Sequence, residues 1–235
     1  MARLIINCDL GENESTESTR ELMALVDAAN IGCGTHAGSL EKTRESLEMA
    51  KASGVMVGAH PGLAAGGGRN AVLPSLSEFI SLLEAQVTVF LSMAEGIGVT
   101  VRYIKLHGTL YHAVEQAADL AHVYCDFVRC MQPELGIFAL AGGTCAQQAQ
   151  SMGIPVWEEM FADRGYLASG ALVPRGDVGA LLDAEEASDR YVDWLKEGHV
   201  RTVDGGLIAL SADTICVHSD SSGALQLLRS LRAQY

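Results

Sequence analysis

The residues of this chain best suited to chemistry fall into short polar runs, each closing an apolar stretch. Asn7-Cys8-Asp9-Leu10-Gly11-Glu12 comes first and offers two carboxylates. Gly32-Cys33-Gly34-Thr35-His36 and Gly58-Ala59-His60-Pro61-Gly62 follow. Lys105-Leu106-His107-Gly108, Phe161-Ala162-Asp163-Arg164 and Val217-His218-Ser219-Asp220 complete the set. Four of the seven histidines (His36, His60, His107 and His218) thus stand in equivalent places. One histidine so placed is ordinarily a plain hydrogen-bonding residue, but four point to a shared site. His112, His122 and His199 lie on helices or loops and read as solvent-facing.

Each candidate has a functional and a structural reading. Asp9 and Glu12 suit general acid/base work or metal ligation; alternatively they are a turn-stabilising Asp and a helix-starting Glu. Lys105 ends an apolar strand, where an ammonium needs a substrate anion or an ion pair with Asp9 or Asp163. Arg164 and Arg175 can clamp a carboxylate or phosphate, or form surface ion pairs. Asp220 can orient His218 or cap the last helix. Cys33 reads as a small buried residue in a glycine-rich turn rather than a reactive thiolate. Asp9, His36 and His60 could together hold a divalent ion with one position open for water. No two histidines share the i, i+4 helical spacing that would strengthen that option. No nucleotide P-loop and no serine-hydrolase elbow occur, and Gly66-Gly67-Gly68-Arg69 is only a weak phosphate signal.

Short strands must deliver these runs to one place. The apolar stretches predict strands at Arg3 to Cys8, Ala28 to Gly32, Val55 to Ala59, Val101 to Leu106, Gly136 to Ala141, Ile154 to Glu158 and Thr214 to His218. Helical periodicity fills the gaps, as in Leu120, Val123, Tyr124, Phe127, Val128 and Met131. Ser75 with Glu78, and Asp183 with Glu186, read as capping boxes that open two helices. Seven strand–helix units predict an α/β fold, a (β/α) barrel-like parallel sheet with helices outside. In such a barrel the strand ends share one face, where Asp9, His36, His60, Lys105, His107 and His218 are expected to line one pocket. Asp204-Gly205-Gly206 predicts a small β-hairpin insertion over Val200 to Leu210. Gly165 to Gly179 reads as a long loop. Nothing resembles a linker, so residues 1–235 read as one domain.

Composition narrows the partners. Of the 235 residues 49% are apolar and the net charge is −13. An acidic surface disfavours nucleic acid and anionic membranes. No apolar run of about 20 residues is evident, and the N-terminus enters a strand directly. Six scattered cysteines without a CxxC pair fit reduced thiols and a cytoplasmic location.

Taken in order, the motifs resemble the LamB/YcsF family, which supplies the A-subunit of the ATP-dependent 5-oxoprolinase. The resemblance rests on Asn7 to Glu12, Ala29 to Gly38, Gly58 to Gly62, Lys105 to Tyr111, Phe161 to Arg164, Leu172-Val173-Pro174-Arg175, and Ala212 to Asp220. It implies a barrel of the glycoside hydrolase/deacetylase type. It also implies the opening of 5-oxoproline to glutamate with ATP hydrolysis, in company with two other subunits that handle the ATP. For that reaction, Asp9 and His60 are the leading candidates to position and deprotonate water, and Lys105 and His107 to stabilise oxyanion charge. Arg164 and Arg175 hold the substrate carboxylate, and Glu12, His36, His218 and Asp220 complete the substrate site. The sequence departs from the family pattern in places: Thr35 replaces an aromatic residue, Gly67 and Asn70 alter a Gly-Phe-Gly-Arg-Arg loop, and Leu106 and Ser219 replace Pro and Gly. Those departures leave open another lactam as substrate, a stand-alone metal-dependent cyclic-amide hydrolase or deacetylase-like enzyme, and a binding subunit without catalytic function. Each of these is compatible with a homo-oligomer.

Overall fold

A computed structural model describes residues 3–64, 72–131, 134–221 and 223–234. Seven strands close into the expected parallel barrel: β1 (Ile5–Leu10), β2 (Ala28–Gly32), β3 (Met56–His60), β4 (Val101–Ile104), β5 (Gly136–Leu140), β6 (Val156–Phe161) and β9 (Thr214–His218). β9 closes the ring by pairing with both β6 and β1. Around it lie α1 (Thr16–Met23), α2 (Leu40–Ser53), α3 (Leu76–Ile97), α4 (Gly108–Gln116), α5 (Ala118–Met131), α6 (Thr144–Ser151), α7 (Ala184–Glu197) and α8 (Ala224–Arg232). β7 (His199–Arg201) and β8 (Leu207–Ala209) form the predicted antiparallel hairpin. The glycine run Gly66 to Arg69 falls outside the described residues.

Alternation along the strands sorts side chains into two environments. Ile6, Cys8, Leu10, Ile31, Val57 and Ile215 face outward and join the helices in one large apolar core. The inward residues change character from bottom to top. At the bottom, Ala28, Tyr103 and Phe138 form a separate buried cluster, with Ile5, Met56 and Trp157 packed against it. The Tyr103 and Phe138 rings stack with centroids 3.7 Å apart. Tyr103 fits only because residue 58 is glycine: a Cβ at Gly58 would fall within the Tyr103 ring.

The middle layer is polar and linked by hydrogen bonds. Tyr103 donates its hydroxyl to Asn30 Oδ1 at 2.6 Å. Asn30 Nδ2 donates to Asn7 Oδ1 and to Asp9 Oδ1, both at 2.7 Å. Asn7 Nδ2 donates in turn to Glu159 Oε1 at 2.9 Å and Thr214 Oγ1 at 2.7 Å. Such a network holds its members in single rotamers and fixes the layer above.

The helix ends follow the sequence signals. Ser75 and Glu78 make a reciprocal capping box on α3, and Asp183 with Glu186 does so on α7. At 22 residues α3 is long and apolar enough to cross a membrane by length and composition, although no uninterrupted apolar run was evident in the sequence. Here it packs Phe79, Leu83, Val87, Phe90 and Ala94 inward and also carries Glu78, Glu84 and Glu95. The loop between β6 and α7 is strapped down by two arginines. Arg190 of α7 donates to the carbonyls of Phe161, Ala162 and Arg164. Arg164 donates to the carbonyls of Ala180 at 3.1 Å and Val173 at 2.6 Å.

Candidate active site

The upper layer of the barrel holds the charged residues. Lys105, only 2% exposed, extends from the end of β4. Its ammonium lies 3.0 Å from Asp9 Oδ1, 3.1 Å from Glu159 Oε1 and 3.0 Å from Cys216 Sγ. The Phe161 ring closes one side, its centroid 5.3 Å from Nζ. The expected partnership with Asp9 is therefore present, whereas the second carboxylate is Glu159 and not Asp163. Asp9 Oδ2 faces His60 Nε2 at 3.5 Å and His218 Nε2 at 4.0 Å.

Asp163 performs the task expected of Asp220. Its Oδ1 accepts from His218 Nδ1 at 2.9 Å, and its Oδ2 accepts from the His218 backbone N–H and the Ser221 hydroxyl. Asp220 is exposed and pairs with Arg175 at 3.5 Å. Nearness in sequence suggested Asp220, but the barrel brings the end of β6 beside β9.

A cavity of about 310 Å3 opens above this layer, at the small end of the roughly 300–1,000 Å3 range of ligand pockets. Asp9, His60, Lys105, His107 and His218 line it, together with Tyr111, His112, Phe161, Leu172, Pro174 and Arg175. Five of the six residues expected to share one pocket do so. His36 does not; its side chain is fully buried behind the floor, bonded to Glu12 and stacked on His107 with ring centroids 4.0 Å apart. Glu12 likewise stands behind the floor. Arg164 lines the cavity, but its bonds to Val173 and Ala180 make it a loop fastener before anything else. Arg175 keeps one guanidinium nitrogen buried without a hydrogen-bonding partner among the described residues. His112, read from sequence as solvent-facing, stands in the cavity wall on α4. That helix starts directly after His107, so its first turns overlook the mouth.

The residues expected to hold a metal also regroup. Glu12, His36, His60 and His107 present four donor atoms within 4.8 Å of one another, while Asp9 groups with Cys216 and His218. Asp9 is thus replaced by Glu12, and His107 joins.

Burial and charge act together on these groups. Burial alone would raise the Asp9 carboxyl, but Lys105 and then His60 outweigh it and hold Asp9 well below the usual carboxylate range. Glu12 is held low against its burial by hydrogen bonds from His107 and His36, and Asp163 by His218 and Ser221. Burial would lower Lys105, yet Asp9, Cys216 and Glu159 keep its ammonium well above the usual lysine value. His60 is raised because Asp9 and Glu12 overcome its burial. Burial pushes His107 down to about 4, and His112 to about 4 with help from Arg164 and His218. Burial takes the Cys33 thiol up to about 12, in keeping with a structural residue.

These shifts fix a sign for acid stability. Between the ordinary histidine pKa of about 6.5 and about 4, the unfolded chain binds protons that folded His107 and His112 refuse. Their contribution to stability therefore falls as pH drops through that window. The depressed Asp9, Glu12 and Asp163 extend the loss below it. His60, raised, and Glu115, pushed up by burial to about 7, act in the opposite sense, and the two histidines outweigh Glu115 where the windows overlap. Replacing His112 with Asn should remove one proton from the difference, flattening the slope by up to about 1.4 kcal/mol per pH unit. Urea unfolding of both proteins between pH 7 and 4 measures this; parallel curves would show that His112 titrates normally.

The LamB/YcsF family model matches residues 4–235. The chain belongs to the LamB/YcsF family. Its relatives include the 5-oxoprolinase A-subunit of Bordetella pertussis, 36% identical over 97% of this chain and 92% of that protein. Among solved structures, the lactam utilization protein of Thermus thermophilus superposes with a TM-score of 0.87 at 33% identity, covering 98% of this chain and 94% of that one. A family 4 carbohydrate esterase from Streptomyces lividans shares the fold alone, with a TM-score of 0.50 and 10% identity over 98% of this chain and 84% of that one. The family membership and the barrel thus agree with the motif reading. Glu159 and Asn30 are residues around the site to which sequence reasoning gave no role, and Asp163, read as a possible partner of Lys105, holds His218 instead. Asn30 had a signal nearby, since it lies inside the polar-ended stretch Ala29 to Gly38, and the register sets it beside Asp9.

Proposed function

We propose that this chain is the A-subunit of an ATP-dependent 5-oxoprolinase, which opens 5-oxo-L-proline to L-glutamate together with two partner subunits. The observation that carries the reading is the buried Lys105–Asp9 pair at the floor of a small cavity with Arg175 in its wall. A lactam of this class has a carboxylate for Arg175 and a ring carbonyl for Lys105. Names of relatives point the same way.

The chemistry follows from the weakness of an amide as an electrophile. Transfer of the ATP γ-phosphoryl group to the ring carbonyl oxygen breaks amide resonance. The chain has no P-loop, so that step falls to the partners. Water then adds to the carbonyl carbon and the carbon–nitrogen bond breaks, which leaves an acyl phosphate; a second water hydrolyses it to the carboxylate and phosphate. Asp9, ionised and beside His60, takes the proton of the attacking water. Lys105 and His107 face the oxygen on which charge develops. His218, oriented by Asp163, supplies a proton to the released nitrogen.

The test is reconstitution. The chain alone should release no phosphate from ATP and leave 5-oxoproline intact. Addition of both partner subunits should give phosphate release that depends on the lactam. Robust ATP-dependent cleavage by the chain alone, or an inert complete mixture, would overturn the assignment.

A further inference from the structure

Beneath the cavity floor, three imidazoles converge on one carboxylate. Glu12 Oε1 lies 2.9 Å from His36 Nε2, 3.0 Å from His107 Nδ1 and 3.6 Å from His60 Nε2. His60 Nε2 and His107 Nδ1 are themselves 3.0 Å apart. Hydrogen bonds among neutral imidazoles account for only part of this packing. His60 already commits its Nδ1–H to the Lys105 carbonyl at 2.8 Å. In its neutral form Nε2 therefore turns a lone pair toward Glu12, where two negative regions oppose each other.

Charge raises the same question. Asp9, Glu12, Glu159 and Asp163 are all buried. Lys105 serves Asp9 and Glu159, and His218 serves Asp163, whereas among the described residues Glu12 pairs with imidazoles. Buried charges of this kind are paired or coordinate metals.

The rings are also braced from outside. A Cβ on Gly62 would come 2.8 Å from His36 Cγ and 2.9 Å from His107 Cβ, so only glycine lets the backbone support both rings. Gln86 of α3 clamps that glycine, accepting its N–H at 3.1 Å and donating to its carbonyl at 2.8 Å. Outer contacts that fix ring orientation are what metal-ligating histidines need.

We propose that Glu12, His36, His60 and His107 bind one divalent first-row transition-metal ion of the zinc class. Three nitrogens and one oxygen suit such an ion, whereas magnesium and calcium favour all-oxygen sets. The second candidate group, Asp9, Cys216 and His218, is already served by an ammonium, because Lys105 Nζ lies 3.0 Å from both Asp9 and Cys216. His60 and His107 line the cavity, so the ion faces it from below. An ion there supplies Lewis acidity to water or a carbonyl oxygen. With His60 engaged as a ligand, Asp9 is left as the proton acceptor. The proposal does not depend on the lactam assignment.

Metal content tests it directly. The full chain, stripped with chelator and titrated with Zn2+ or Co2+, should retain about one ion per chain through desalting. Its melting temperature should rise with occupancy. The cobalt form should show visible d–d bands and no thiolate-to-metal charge-transfer band. Glu12→Gln and His36→Asn should each weaken binding by at least about a hundredfold, while Cys216→Ser leaves the cobalt spectrum unchanged. Failure of the wild-type chain to hold an ion, affinity unchanged in both ligand variants, or a thiolate band that disappears in Cys216→Ser would each overturn it. Should a ligand variant not fold, the wild-type spectrum and Cys216→Ser still decide.

Discussion

In a reconstituted complex, Lys105→Met is expected to reduce lactam-dependent turnover by about a hundredfold or more, the usual cost of losing an oxyanion-stabilising group. The residue resists simple interpretation because it also neutralises Asp9 and Glu159. Removing the ammonium leaves two buried carboxylates facing a methyl group. Breaking a buried pair in this way costs about 3–5 kcal/mol, so the variant should also unfold at lower urea concentration. A second substitution separates the two effects. Glu159→Gln added to Lys105→Met removes one of the stranded charges and should recover part of the stability. Turnover should stay low, because nothing in the double variant replaces the ammonium. Activity that returns along with stability would show Lys105 to be a structural ion-pair residue.

Asp9→Asn should have a comparable effect on catalysis by a different route. Its side chain keeps the shape and can still accept from Asn30 Nδ2, which holds Asp9 at 2.7 Å. What disappears is a carboxylate kept ionised by Lys105 and His60. Loss of a general base typically costs about 10²- to 10⁴-fold. The loss should fall on kcat, with KM changed little, because Arg175 and the cavity wall are untouched. A kcat within tenfold of wild type, in protein verified as folded, would remove Asp9 from the proton-transfer role.

Much of the architecture was legible because each strand is a short apolar run closed by a polar one. Two capping boxes, Ser75 with Glu78 and Asp183 with Glu186, placed helix starts to the residue. Strand ends were less legible. The sixth strand, expected to end at Glu158, runs on to Phe161. Three residues made the difference between a loop glutamate and Glu159 pointing inward at Lys105. In a parallel barrel both strand faces are buried, so hydropathy does not mark which residues point in. The same limit hid Asn30, an interior amide within an otherwise apolar strand. His112 was misplaced for another reason: helical periodicity says which face is apolar, not which face overlooks a cavity. Gathering four histidines at strand ends was sound, yet the division between floor and underlayer, with His36 and Glu12 below, required coordinates.

The aromatic cluster of Tyr103, Phe138 and Trp157 makes the barrel a vessel with a sealed base. Among the described residues, the route to Asp9 for substrate, water and protons is the upper mouth. Any partner that settles on that rim therefore acts as a stopper as well as a supplier. It can set when water enters, and so whether a bound substrate is hydrolysed or held, without contacting Asp9 or Lys105. Timing in such an assembly would then belong to the fit between two surfaces, and selection could tune it at the rim while the ring beneath stays as it is.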